Sequence, residues 1–426
     1  MKVLNRLLLI SGFLYISLNA HDVEITNRDR KHSVRQVVDS VAKIPQKEIS
    51  EVDNFQHMFE DASVSGRVVS MYSYYNNDEK GVDDIYATAV GGYLKYELAD
   101  YEGFNAAAAF VTAHDINGLT GEDSKQNIEL ASSDGTYTEL SEMYINYKYK
   151  DFNFRAGRQV LDTPLADSDD IRIVANTFEA YVATYKYDNF SFMAGKLLKW
   201  QGSDTGLDEN EPWQKTGENG TYFGGVVYED SLVDIHTWYY NMTELTNSAY
   251  IDMSFHKNIT KDLFFHTGLQ YLNQSELNNS EVESKIYGAF VEVVFSQLGL
   301  NLAYNKSEKQ SNKDSFSGFG GGALFTNMDT MILNNITRDR DASAIVGALT
   351  YEINEIGLLY AYGDFNGDRD SLGVKEHIVE QNFGLEYKVN DDFTFASIVT
   401  ISEDKENSTQ TSYDYDNFRV LIAYSF

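Results

Sequence analysis

The residues of this chain able to do chemistry are eight histidines, a glycine cluster, and a run of arginines and aspartates between Arg155 and Arg172. A nucleophilic centre needs a hydroxyl or thiol beside a base. The segment His114-Asp115-Ile116-Asn117-Gly118 offers the base, but Ile116 stands where the hydroxyl would be needed, and the chain has no cysteine. The remaining histidines are scattered without paired metal-ligand spacing, so His236 and His266 read as lone, hydrogen-bonded wall residues. Gly318-Phe319-Gly320-Gly321-Gly322 lacks the Lys-Ser or Lys-Thr that completes a phosphate loop, which leaves a loop tip or tight packing as its role. No catalytic residue, metal ligand or cofactor is expected.

What remains is electrostatic. Alternation at Phe152, Phe154 and Ala156 stops at Arg158 and resumes near Phe178. The stretch between, from Leu161 to Asn176, is polar and holds Pro164, one of only 3 prolines in the chain. It reads as a long loop between two strands. Such a loop either projects into water or folds back into the space its strands enclose, and the second placement is the expectation here.

The elements flanking this loop read as strands. From Ser63 onward apolar residues alternate with polar ones in eighteen segments, the first at 63–75 and the last at 414–426. Long and short connections also alternate: Asn76 to Asp84, then Asp100-Tyr101-Glu102; His114 to Thr136, then Lys150; Leu161 to Asn176, then Asp188-Asn189. Short turns at one end and long loops at the other characterise outer-membrane barrels, whereas a soluble sandwich has no reason to keep that phase. With 30 Tyr and 25 Phe but only 42% hydrophobic residues, the composition suits strands that show apolar side chains to lipid at every second position. The fold class is therefore all-β, a transmembrane antiparallel β-barrel of about 18 strands with an inward-folded constriction loop near 161–176.

Side assignments follow from parity. In the last strand Phe418, Val420, Ile422, Tyr424 and Phe426 form the lipid face, and Arg419 points the other way. Arg67, Lys95 and Glu97 likewise lie opposite apolar faces. A basic side chain at the lipid midplane costs about 2–4 kcal/mol, so Arg67, Lys95, Glu97 and Arg419 are assigned to the pore lining.

Residues 1–20 carry Lys2 and Arg6, then an apolar run from Leu7 to Leu18, the layout of a signal peptide for export. Residues 21–61 read as a periplasmic leader with a short helix around Val34 to Val41, and 62–426 as the barrel. Net charge is −31, or −33 once Lys2 and Arg6 leave with the signal. No basic stripe exists to track a nucleic-acid backbone. The acidic excess is concentrated in connections such as Asp204 to Glu211 and Glu403 to Glu406, where solubility of exposed loops explains it.

The loop and its neighbours resemble the OprD-type outer-membrane porins. The similarity rests on Gly157-Arg158-Gln159, Asp162-Thr163-Pro164, Ala166-Asp167-Ser168-Asp169-Asp170-Ile171-Arg172 and Asn176-Thr177-Phe178-Glu179. It extends to Gly195-Lys196, Lys199-Trp200, the Gly318 to Gly322 cluster with Phe325-Thr326, Tyr360 to Phe365 and the final strand. Ala175 stands where that family usually has proline. The resemblance implies a channel in the outer membrane of a Gram-negative bacterium. Small charged solutes (carboxylates, amino acids, short peptides) would diffuse through it passively. It further implies a constriction of basic residues opposed by acidic ones: Arg172 first, then Arg158, Arg155, Asp167, Asp169 and Asp170.

The implied partners are outer-membrane lipid and lipopolysaccharide, small charged solutes, and the barrel-assembly machinery reading the C-terminal Phe426 with Tyr424. One to three protomers are expected, a homotrimer being the upper case, and no nucleic acid. Two rival functions use the same barrel: a general, unselective porin, and an adhesion or binding barrel. The His114 segment is superficially similar to that of outer-membrane phospholipases, but Ile116 removes their nucleophile.

Overall fold

In the computed structural model the described residues are 49–78, 81–168, 172–208, 210–406 and 413–426. The signal peptide, the leader up to residue 48, and Asp169 and Asp170 lie outside them. Of 21 strands, three are two-residue pieces (Glu51–Val52, Asp100–Tyr101 and Gln214–Lys215), and the other eighteen run from Ser63–Asn77 to Tyr415–Ser425. Each of the eighteen pairs antiparallel with its chain neighbour, and Ser63–Asn77 pairs with Tyr415–Ser425, Arg67 opposite Ser425 and Asn77 opposite Tyr415. The sheet is thus closed, and no long strand keeps an unpaired edge.

All eighteen alternating segments are strands, with ends shifted by a few residues. The largest shifts are extensions: the strand Leu263–Glu276 runs four residues beyond the 261–272 read from alternation, and Phe190–Gln201, Thr246–Thr260 and Ile356–Gly367 each run three beyond. Connections keep the long-short phase with one exception, the tight link 243–245 at the long-loop end. Among the described residues no helix is long and apolar enough to cross a membrane.

Parity sorts the side chains as expected. Along the last strand Phe418, Ile422 and Tyr424 are exposed outward, while Asn417, Arg419, Leu421 and Ala423 are buried inward. Along Leu298–Glu308 the outward row is Leu298, Leu300, Leu302 and Tyr304. This apolar and tyrosine-rich outer belt is the surface a bilayer requires.

At the short-turn end, residues 49–61 lie against the barrel. Glu51–Val52 pairs parallel with Asp100–Tyr101, and the four-residue helix His57–Glu60 tucks Met58 under Ala99, whose N–H donates to the Met58 carbonyl (3.0 Å). Phe55 rests edge-on to Phe59 and Tyr101.

Candidate functional site

The interior is built by loops that turn inward. In segment 160–176 the Thr163 and Ala166 main chains exchange hydrogen bonds (2.8 and 3.2 Å) around Pro164, and Ser168 caps Asp162. This turn aims Leu165 and Ala166 into the lumen, where both are buried. There the segment meets a second inward loop, 309–341. The Asp167 N–H donates to the Phe319 carbonyl and the Phe319 N–H to the Leu165 carbonyl, each at 3.0 Å, a short parallel pairing of two loops.

The glycine cluster exists for this crossing. Gly318 and Gly320 have φ of +117° and +85°, a region that favours glycine. A Cβ on Gly320 would collide with the Asp167 carbonyl and lie 2.7 Å from Asn176 Nδ2, and one on Gly318 would lie 3.0 Å from Leu165 Cα. Of the two roles read for the cluster, tight packing is the one seen.

Loop 309–341 is held by apolar and polar contacts. Phe319, Leu324, Met328, Met331 and Leu333 are buried against the inner faces of the wall strands, sharing one cluster with Leu165, Phe178, Tyr240 and Phe365. Gln270 accepts from the Phe325 N–H (2.8 Å), Asn305 from the Thr326 N–H (3.1 Å), and Glu380 from the Thr330 N–H (3.1 Å). Buried backbone donors therefore find partners, as an inward loop requires. A second cluster joins Ile173 and Val174 of segment 160–176 with Leu130, Ala131 and Leu207, from two further loop segments, to inward wall residues such as Val69, Ala89 and Val111.

Arg172 leaves segment 160–176 toward the wall. Its guanidinium forms an ion pair with Asp204, in the 3₁₀ turn Ser203–Thr205, and Asp204 also accepts from Asn176 Nδ2 (2.9 Å). Arg172 and Arg67 line one small cavity together with Tyr93, Ser141, Ile173, Ala175 and Thr177. A wall arginine of the first strand and a loop arginine thus share one space inside the barrel, whose lining is otherwise largely apolar, with Val69, Val111 and Ile173. Asp167 stands at the loop crossing, near Gly321.

The other residues singled out in the sequence take different places. Arg155 faces inward and stacks 4.1 Å from the Tyr144 ring, its Nε donating to Asn146 (3.3 Å). Arg158, at the long-loop end, reaches Glu139 at 3.0 Å and stacks 4.4 Å from the Trp213 ring, while the Trp213 indole N–H donates to the same Glu139 (3.0 Å). That arrangement ties loop 202–220 to the wall. Lys95 is enclosed by Glu97 (3.4 Å) and Glu142 (3.6 Å); Tyr144 donates to Glu97 (2.6 Å) and Tyr93 to Glu142. Arg419 pairs with Asp329 of loop 309–341.

Several interior residues have no local signal that parity alone would raise. Glu142, Asp204 and Asp329 are partners of residues 32 to 90 positions away, so only the closed barrel brings them in. The histidines are not alone: His236 Nδ1 lies 3.1 Å from Asp252, His256 Nδ1 3.2 Å from Asp234, and His266 Nδ1 3.5 Å from Glu292. His256 and His266 are register partners with ring centres 5.9 Å apart. Among the described residues no group of histidines and carboxylates is arranged to hold a metal ion. His114 lies between the Thr112 and Thr136 hydroxyls at 2.9 and 2.8 Å.

A closed eighteen-stranded barrel narrowed by inward loops is the architecture of a porin. No family model and no curated protein sequence matches the chain. Solved structures do. Acinetobacter baumannii OccAB4 superposes with a TM-score of 0.75 at 14% identity, over 86% of this chain and 98% of that one. Pseudomonas aeruginosa OpdK, crystallised with vanillate, gives 0.71 at 16% identity over 87% and 99%. A BenF-like porin from Pseudomonas fluorescens Pf-5 gives 0.74 at 13% identity over 87% and 99%. The chain has the fold of these OprD-type porins, the fold that its loop motif led us to expect.

Proposed function

We propose that the protein is an outer-membrane channel through which small charged solutes diffuse passively, with selection at the Arg172–Arg67 cavity. The observation that carries this reading is the shared cavity itself: two arginines from separate elements converge on one space inside a closed barrel, which Tyr93, Ser141 and Thr177 also line. Clustered guanidinium groups favour anions, and their planar forks suit carboxylates in particular. Asp204 and Asp167 set acidic groups nearby, so a solute with both charges meets a transverse field that orients it and replaces part of its water shell. Weak, multiple contacts allow exit as well as entry.

Vanillate in the similar OpdK barrel supports a small carboxylate as the solute class. In this reading the long loops face outward and the short turns the periplasm. Arg155, Arg158, Lys95, Glu97 and Arg419 shape and hold the wall around the filter. The C-terminal Phe426 and Tyr424 present the barrel to its assembly machinery, and each protomer conducts by itself, in a trimer or alone.

Liposome swelling with the purified protein tests the proposal. Small monocarboxylates are expected to enter several-fold faster than neutral sugars of the same size. Equal rates for all small solutes would make it an unselective porin, and no swelling at all would favour an adhesion barrel.

A further inference from the structure

The outer wall carries a charge arrangement that conduction does not use. In the short pairing of Gln214–Lys215 with the strand Phe190–Gln201, Lys199 falls directly opposite Lys215. Like charges at such a position, with Cβ atoms about 4.5–5.5 Å apart, repel each other. Lys196 lies two register steps nearer the membrane, about 7 Å away. It points outward: its Nζ is 3.0 Å from the Tyr222 hydroxyl and 4.6 Å from that ring, and its register partners Tyr222 and Tyr181 are exposed outer-belt residues.

Among the described residues one of the three lysines, Lys215, has a carboxylate partner. Glu218 is 3.6 Å from Lys215, and Glu179, the register partner of Lys199, is 3.9 Å from Arg158. Among the described residues Lys199 makes no ion pair. The directly opposed Lys199 and Lys215 carry a short-range electrostatic cost. A polyanion held against the patch removes that cost. The patch lies beside the outward tyrosines, where a bilayer carries its headgroups.

We propose that Lys196, Lys199 and Lys215 form a site for the phosphate of a lipid headgroup in the leaflet at the long-loop end. Ammonium groups on flexible stems can close on a phosphate from three sides, each as a point charge. The proposal rests on the barrel crossing a membrane and does not require that it conduct.

The test is native mass spectrometry of the full-length protein purified in detergent. The probes are lipid A bearing two phosphates, its dephosphorylated form, and inorganic phosphate. The protein should retain the phosphorylated lipid, and K196Q/K199Q/K215Q should retain at least about five-fold less. K261Q/K285Q/K306Q, with the same charge change elsewhere, should match the parent. Heat-modifiable gel mobility confirms that each variant is folded. Equal retention by both variants, or equal retention of the dephosphorylated lipid, would overturn the site, and so would release of the lipid by inorganic phosphate at millimolar concentration. Failure of the channel reading shows instead as absent solute entry, with lipid retention untouched.

Discussion

Arg419 on the last strand and Asp329 on loop 309–341 form an ion pair whose side chains are 6% and 0% exposed. Asp329 also accepts from Thr400, and its neighbour Thr330 binds Glu380 and receives the Tyr415 hydroxyl (2.8 Å). The strands that close the barrel therefore also hold its longest inward loop. Barrel closure and the seating of the inward loop thus share this pair.

Asp329→Asn should loosen that loop and leave Arg419 buried without its countercharge. Removing one partner of a buried pair costs about 3–5 kcal/mol. Urea unfolding, followed by gel mobility without boiling, should show an earlier midpoint, and single-channel current should become noisier. Parent-like values in both would mean that the pair does not hold the loop.

Gly320→Ala tests the loop crossing. The new methyl meets the Asp167 carbonyl and Asn176 Nδ2, so segments 160–176 and 309–341 must separate. Overpacking of this kind costs about 1–3 kcal/mol, too little to open an eighteen-stranded sheet. The variant should assemble normally but conduct differently from the parent, and an unchanged conductance would place the crossing away from the solute path.

Lys95→Met separates wall from filter. It leaves Glu97 and Glu142 buried without the ammonium between them, a loss of about 3–5 kcal/mol by the same reasoning. Stability should fall while ion preference stays as in the parent. A changed reversal potential with normal stability would move Lys95 into the solute path.

Acid should act on the loop end at low pH only. Hydrogen bonds from the Ser371 hydroxyl and from the Asn312 and Ser371 N–H groups hold the Asp339 carboxyl well below the usual range, and the Val374 N–H lowers Asp370. A depressed folded pKa gives stabilisation that is full above the unfolded value, near 4, and is lost as pH falls through the folded one. Protease cleavage of loops 309–341 and 368–375 should thus stay constant from pH 7 to about 4 and rise below it. Asp339→Asn should be cleaved readily across the whole range; resistance equal to the parent's at pH 7 would contradict this account.

Much of the fold was legible because a barrel strand writes its two environments into alternate residues. Phe418 against Arg419, and Val68 against Arg67, set both faces and the number of strands. The first inward loop was legible from the motif around Arg172, a polar stretch between two strands. The second inward loop was not, since parity says nothing about where a loop goes. Its signal was Leu324, Phe325, Met328, Met331 and Leu333, apolar residues that have no place in a water-facing loop. Arg158 read as a constriction residue by its position in the motif, yet Trp213 and Glu139, which engage it, come from 55 and 19 residues away. His236 and His266 read as lone because each carboxylate partner sits on a neighbouring strand.

Planar-bilayer recording on Arg172→Ala tests the central claim most directly. The parent should give stepwise currents, and the variant the same number of steps with its reversal potential in a salt gradient shifted toward cation preference. Parent and variant reversing at one potential would remove Arg172 from the filter, and a parent protein that gives no steps would contradict the channel itself.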